Sequence, residues 1–200
     1  MIDAKHFYFI RQRHGSYASW AVWANAAKKP KSNIGDMRIF DIDTNSSLLD
    51  TLNVNIVMVG LNISRPFFEP FRNFHDSNPT ANDFKIRYAF TNTEYYGAYM
   101  TDIIKNIEMV RSNDLLEHIK ASPSLIRKNI AAFREELQDL TSKKPTILAF
   151  GVAAYNIIAE HITDSEYSRL IKLTHYSHHI GKEKYREMVL NQINTATDLT

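Results

Sequence analysis

Apolar positions in this chain gather into two kinds of run. Four are short and apolar through most of their length: Val54-Asn55-Ile56-Val57-Met58-Val59-Gly60, 97–104, Thr146-Ile147-Leu148-Ala149-Phe150-Gly151, and Leu170-Ile171-Lys172-Leu173-Thr174. Runs of this length, rich in β-branched residues and stopped by glycine, predict strands buried on both faces. The others step with a helical period. Ile126, Ile130, Phe133, Leu137 and Leu140 line one face of a helix over 122–140, with Ser122-Pro123 as its cap and first turn. Further helices are expected over 152–161, over 183–193, and over the alanine-rich 15–27 around Trp20 and Trp23, closed by Lys28-Lys29-Pro30. Residues 61–96, with Pro66, Pro70 and Pro79, show no sustained period and read as a long irregular segment.

Buried strands separated by helices predict an α/β fold, a three-layer α/β/α sandwich around a central, mainly parallel four-stranded sheet. No repeat or linker divides residues 1–200, so a single domain is expected. In such sheets ligands bind beyond the carboxyl ends of the strands. That rule selects Gly60-Leu61-Asn62, Thr101-Asp102, Gly151 and Thr174-His175-Tyr176-Ser177 as the places to look for chemistry.

Composition narrows the classes. With 44% apolar and 23% charged residues over 200 positions, the chain is an ordinary globular sequence, and no run reaches the ~18–20 apolar residues of a membrane span. No secretory leader is legible at Met1-Ile2-Asp3-Ala4-Lys5-His6, so a cytoplasmic location is expected. Zero cysteines exclude disulfides, thiolate metal sites, iron–sulfur clusters and a cysteine nucleophile. The net charge is only +2, but residues 1–38 carry seven Lys/Arg against two acids, and 172–186 carry four against one. Basic ends around a more acidic middle permit a polyanion-binding face, although the same clustering also suits a solvated surface.

Each motif has a plain reading beside a functional one. Asn62 after Gly60 orients a water or hydroxyl, or else merely caps the following turn. Phe71 and Phe74, with Phe67 and Phe68, either plug a loop onto the core or offer a face on which a base stacks. His175, His178 and His179 lack the further converging ligands of a zinc site, so no metal is expected. A solvated histidine patch or a donor to a developing anion remains. Neither a G-x-S-x-G elbow nor a glycine-rich phosphate loop occurs.

Taken in order, Gly60-Leu61-Asn62, Met100-Thr101-Asp102-Ile103-Ile104-Lys105, Ile147 to Tyr155, and Leu173-Thr174-His175-Tyr176-Ser177 resemble the motifs of the uracil-DNA glycosylase superfamily. The resemblance spans residues 54–180 and implies hydrolysis of an N-glycosidic bond in DNA without a cofactor. It makes Asn62 the holder of the attacking water and His175 the support for the departing base. Asp102, with Phe74 and Phe71, would bind the base. Ser64, Ser177, His178, His179, Ile180 and Lys182 would hold DNA, with Ile180 as an apolar wedge. Tyr176 stands where the family has proline, and Asp102 where it has a base-reading asparagine.

A carboxylate only accepts hydrogen bonds, which suits the amino group of a cytosine-type base better than the O4 of uracil. The implied substrate is therefore a modified cytosine, such as the glucosylated hydroxymethylcytosine of phage DNA, which implies an antiviral role. Uracil excision in repair, a non-catalytic DNA-binding protein on the same scaffold, and a hydrolase of free nucleotides are the alternatives. The implied partner is DNA, single- or double-stranded, with one nucleotide flipped out, bound by a monomer away from any membrane.

Overall fold

The computed structural model describes residues 2–63, 65, 68–105, 107–109, 111–141 and 143–197, with nothing assigned to the side chains of Ser112 and Thr197. The chain runs α1 (Ala4–His14), β1 (Ser19–Trp20), a 3-10 turn (Met37–Phe40), α2 (Leu48–Thr51), β2 (Asn53–Asn62), α3 (Asp83–Phe90) and β3 (Ala98–Ile104). It continues with α4 (Ser112–Ala121), α5 (Pro123–Leu140), β4 (Thr146–Phe150), α6 (Val152–His161), β5 (Arg169–Leu173) and α7 (Lys182–Thr197). The fold is α/β, and the sheet has five strands in the order β1-β3-β2-β4-β5. All pairings are parallel except that of β1, which lies antiparallel on β3.

Successive strand residues point to opposite faces, and the core divides accordingly. Val57, Val59, Tyr99, Ile103, Ile147 and Ala149 meet side chains of α1, α4, α5 and α6 in one cluster. Met58, Met100, Leu148 and Phe150 meet Ile86, Ala89 and Phe90 of α3 and Tyr185, Val189 and Ile193 of α7 in the other. Two layers of helix therefore cover one sheet. The same alternation sends Asp102, two residues beyond Met100, to the α3–α7 face at the carboxyl end of β3.

Three expectations are corrected. The segment 15–27 is not a helix, because Ser19 and Trp20 pair with Met100 and Tyr99 and add a fifth strand to the four expected. Trp20 is fully buried against Tyr99, with ring centroids 5.0 Å apart. Pairing with a ready sheet edge overrides the helical preference of the neighbouring alanines. The span 61–96 is not wholly irregular, since it contains α3.

Beneath β3, on the α5 side, Lys105 and Glu136 are both buried and form an ion pair at 2.6 Å. Lys105 Nζ also donates to the Asp102 carbonyl at 2.7 Å, and Tyr99 donates its hydroxyl proton to Glu136 at 2.7 Å. This network ties the carboxyl end of β3 to α5. Among the described residues no helix is long and apolar enough to cross a membrane.

Candidate functional site

The carboxyl ends of β2, β3, β4 and β5 open into one cavity of about 710 Å³, lined by Asn62, Asp102, Phe150, Gly151 and His175 among others. Asn62 ends β2, and its amide nitrogen donates to the carbonyls of Ile63, Ile107 and Met109 at 2.9, 3.0 and 2.9 Å. The amide orientation is thereby set, and Oδ1 is left as an acceptor with no protein donor among the described residues.

Asp102 is buried at 3% exposure, and its Oδ2 accepts from the amide of Asn73 at 2.8 Å. Asn73 spends its other amide proton on the Tyr17 carbonyl at 2.8 Å and accepts from the Phe74 N–H at 3.1 Å. Burial pushes the Asp102 carboxyl up to about 7, against the opposing influence of the Asn73 bond and the Lys105 charge. The group thus changes charge near neutral pH. A second carboxyl in the cavity, Asp83 in the first turn of α3, is also pushed up to about 7 by burial. Its Oδ2 accepts the Asp76 N–H at 2.8 Å, and Asp76 pairs with Arg65 at 2.6 Å.

His175 follows β5. The backbone N–H of Ser177 is 3.1 Å from its Nδ1, and the Ser177 hydroxyl is 2.8 Å from the same atom. An N–H aimed at Nδ1 makes that nitrogen the acceptor and leaves the proton on Nε2. Burial lowers the His175 pKa to about 4, so the ring is neutral at pH 7 and remains an N–H donor. Gly151 packs beside it: a Cβ there would lie 3.4 Å from the His175 Cβ, and its φ of +88° favours glycine.

The aromatic wall comes from Phe74, Phe150 and Tyr176. Tyr176 meets Phe150 edge-on at 5.5 Å and Phe74 at 6.3 Å, and stacks on His175 at 4.3 Å. Comparison with protein-family models, curated proteins and solved structures finds no significant match.

Asn62, Asp102, His175 and Ser177, from the segments the strand-end rule selects, line the cavity, and so does the loop residue Phe74. Phe71 does not. It is fully buried against Phe7 and Phe40 in the other cluster, at 5.5 and 5.4 Å, and is corrected to a core residue. Ile180, expected as an apolar wedge, lies outside the cavity lining and is half-buried against the α3–α7 cluster. His178 and His179 are exposed outside the cavity lining, and the His178 carbonyl accepts from Lys85 at 2.7 Å. Lys182 borders a different cleft, described below. Ser64 lies outside the described residues. Among the described residues no group of three His, Asp or Glu is placed to hold a metal ion.

Sequence reasoning missed Asn73, Asp83 and the Arg65–Asp76 pair. Asn73 sits between Phe71 and Phe74, whose φ values of +65° and +64° turn the chain so that its side chain reaches Asp102. No periodic pattern marks such a turn. Asp83 was legible only as the start of a helix that was not expected.

Proposed function

We propose that the protein is a monofunctional DNA glycosylase that hydrolyses the N-glycosidic bond of a flipped, non-standard base, a modified cytosine by preference. The observation that carries this reading is that Asn62 at the end of β2, Asp102 near the end of β3 and His175 just after β5 line one cavity beside an aromatic wall.

A nucleotide taken out of the stack enters the cavity against the wall of Phe74, Phe150 and Tyr176 at a cost of a few kcal/mol, offset by stacking and pocket hydrogen bonds. As the C1′–N bond breaks, its electron pair leaves with the base and the sugar becomes oxocarbenium-like. The neutral His175 donates its Nε2–H to the anionic base without giving up the proton. The open Oδ1 of Asn62 accepts from a water that adds to C1′, and the proton released neutralises the departed base. No lysine lines the cavity among the described residues, so no Schiff base and no strand scission are expected.

With Oδ2 held by Asn73, Asp102 offers its other oxygen to the base. Ionised, that oxygen accepts from the amino group of a cytosine; protonated, it can donate to the O4 of uracil. The raised pKa of Asp102 therefore favours a second reading, in which uracil is also accepted below neutral pH.

Mass spectrometry of bases freed from a panel of DNAs, including uracil-containing and phage-modified ones, tests the proposal. Release of hydroxymethylated or glucosylated cytosine, lost in Asn62→Ala, is expected. Release of uracil alone would move the function to repair. No base from any DNA would leave a binding protein and end the glycosylase reading.

A further inference from the structure

A second cleft of about 480 Å³ is also lined by α3. The two share that helix: Asp83 in its first turn lines the first cavity, while Phe84, Arg87 and Tyr88 line the second. The loop 24–30 forms one wall of this cleft, and Lys182 and Arg186 of α7 another.

Its charge is one-sided. Lys28, Lys29, Arg87, Lys182 and Arg186 line it, and no Asp or Glu does among the described residues. Arg87 is buried at 6% exposure, donating to the carbonyls of Ala24 and Ser32 at 2.9 Å each and to that of Pro30, with no carboxylate partner among the described residues. Arg186 Nη1 donates to the carbonyls of Tyr88, Ala89 and Thr91 at 2.7, 2.9 and 3.0 Å, and Nη2 and Nε have no partner among the described residues. Lys182 has an acid beside it, Glu183, and its Nζ lies 4.0 Å over the Tyr88 ring. A buried guanidinium satisfied only by carbonyl oxygens retains its full charge, and low-dielectric walls focus that field into the cleft.

The remaining surface is aromatic. Trp23, Phe84, Tyr88 and Tyr96 line the same space. Cations selecting for anions, with rings selecting for a flat π-face, and a volume within the ~300–1,000 Å³ of small-ligand sites, match one ligand chemistry. We propose that this cleft binds a nucleotide, its phosphate toward Lys28, Lys29 and Arg186 and its base against the rings. The nucleotide comes from a nucleic-acid strand or is free, and the experiment separates these sources. The inference goes beyond base release and does not depend on it.

Binding of a fluorescein-labelled dT12 strand and of free dAMP is measured on the whole chain by anisotropy and by Trp fluorescence, with Trp23 in the cleft as reporter. Lys28→Glu/Lys29→Glu, both exposed, should weaken binding about tenfold or more and reduce the salt slope by about 1.4 for two lost phosphate contacts on a single strand. Tyr88→Leu should weaken it about fivefold with the slope unchanged. Lys143→Glu/Lys144→Glu, an equal charge change on exposed residues just before β4, should leave affinity intact. Loss for dT12 assigns the cleft to a strand; loss for dAMP alone assigns it to a free nucleotide. Unchanged affinity for both probes in the Lys28/Lys29 and Tyr88 variants, or an equal loss in the Lys143/Lys144 control, overturns the proposal. Base release is scored separately, so its absence leaves this result standing, and a failure here leaves Asn62-dependent release standing.

Discussion

Gly60 and Asp102 face each other on the adjacent parallel strands β2 and β3, and Asp102 Oδ1 lies 2.2 Å from where a Cβ on Gly60 would sit. The Phe74 ring is 3.3 Å from the same point. The missing side chain at position 60 is thus the space in which the carboxyl and the ring come together. Gly60→Ala should displace both, at a cost of about 1–3 kcal/mol in stability. Base release should fall more steeply than the melting temperature, which paired kinetic and calorimetric measurements check.

Asn62→Ala removes the acceptor proposed to hold the water. Single-turnover base release should drop about 100-fold or more, as expected for a misplaced reactant, while DNA affinity changes little. Equal release by the variant would take Asn62 out of the chemistry.

Asp102 changes charge near pH 7. The ratio of modified-cytosine to uracil release should therefore rise as pH increases through about 7, as the carboxyl passes from donor to acceptor. Asp102→Asn should flatten that profile and shift preference toward uracil. A wild-type ratio that stays constant from about pH 6 to 8 would remove Asp102 from base selection.

The depressed pKa of His175 has a sign that can be checked. Its neutral form is favoured by the fold, so its contribution to stability is present above the unfolded value of about 6.5 and lost as pH falls through about 4. Relative to His175→Gln, the wild type should lose melting temperature between those limits and match its neutral-pH difference above them.

Lys105 and Glu136 give a test of the support under β3. Lys105→Met strands a buried carboxylate and should cost about 3–5 kcal/mol in urea denaturation. The double variant Lys105→Met/Glu136→Leu should recover much of that loss.

Four of the five strands were legible as unbroken apolar runs and α5 as a clean helical period; α6 runs over Val152–His161 as expected. α1 went unmarked although Phe7, Ile10 and His14 form a buried stripe at helical spacing. α3 hides its period, because Lys85 and Arg87 are buried with their heads bonded to carbonyls and read as surface residues. In the site, the strand-end rule found Asn62, Asp102 and His175. It had no means of separating Phe74 from Phe71, which differ only in which side of a turn they leave.

The amide at position 62 has a historical consequence. Its nitrogen is ringed by three backbone oxygens, from Ile63, Ile107 and Met109, so an aspartate in its place would set lone pairs against lone pairs. Exchange of amide for acid, a single-nucleotide step in the genetic code, therefore requires both the Ile63 carbonyl and the segment 107–109 to turn away at the same time.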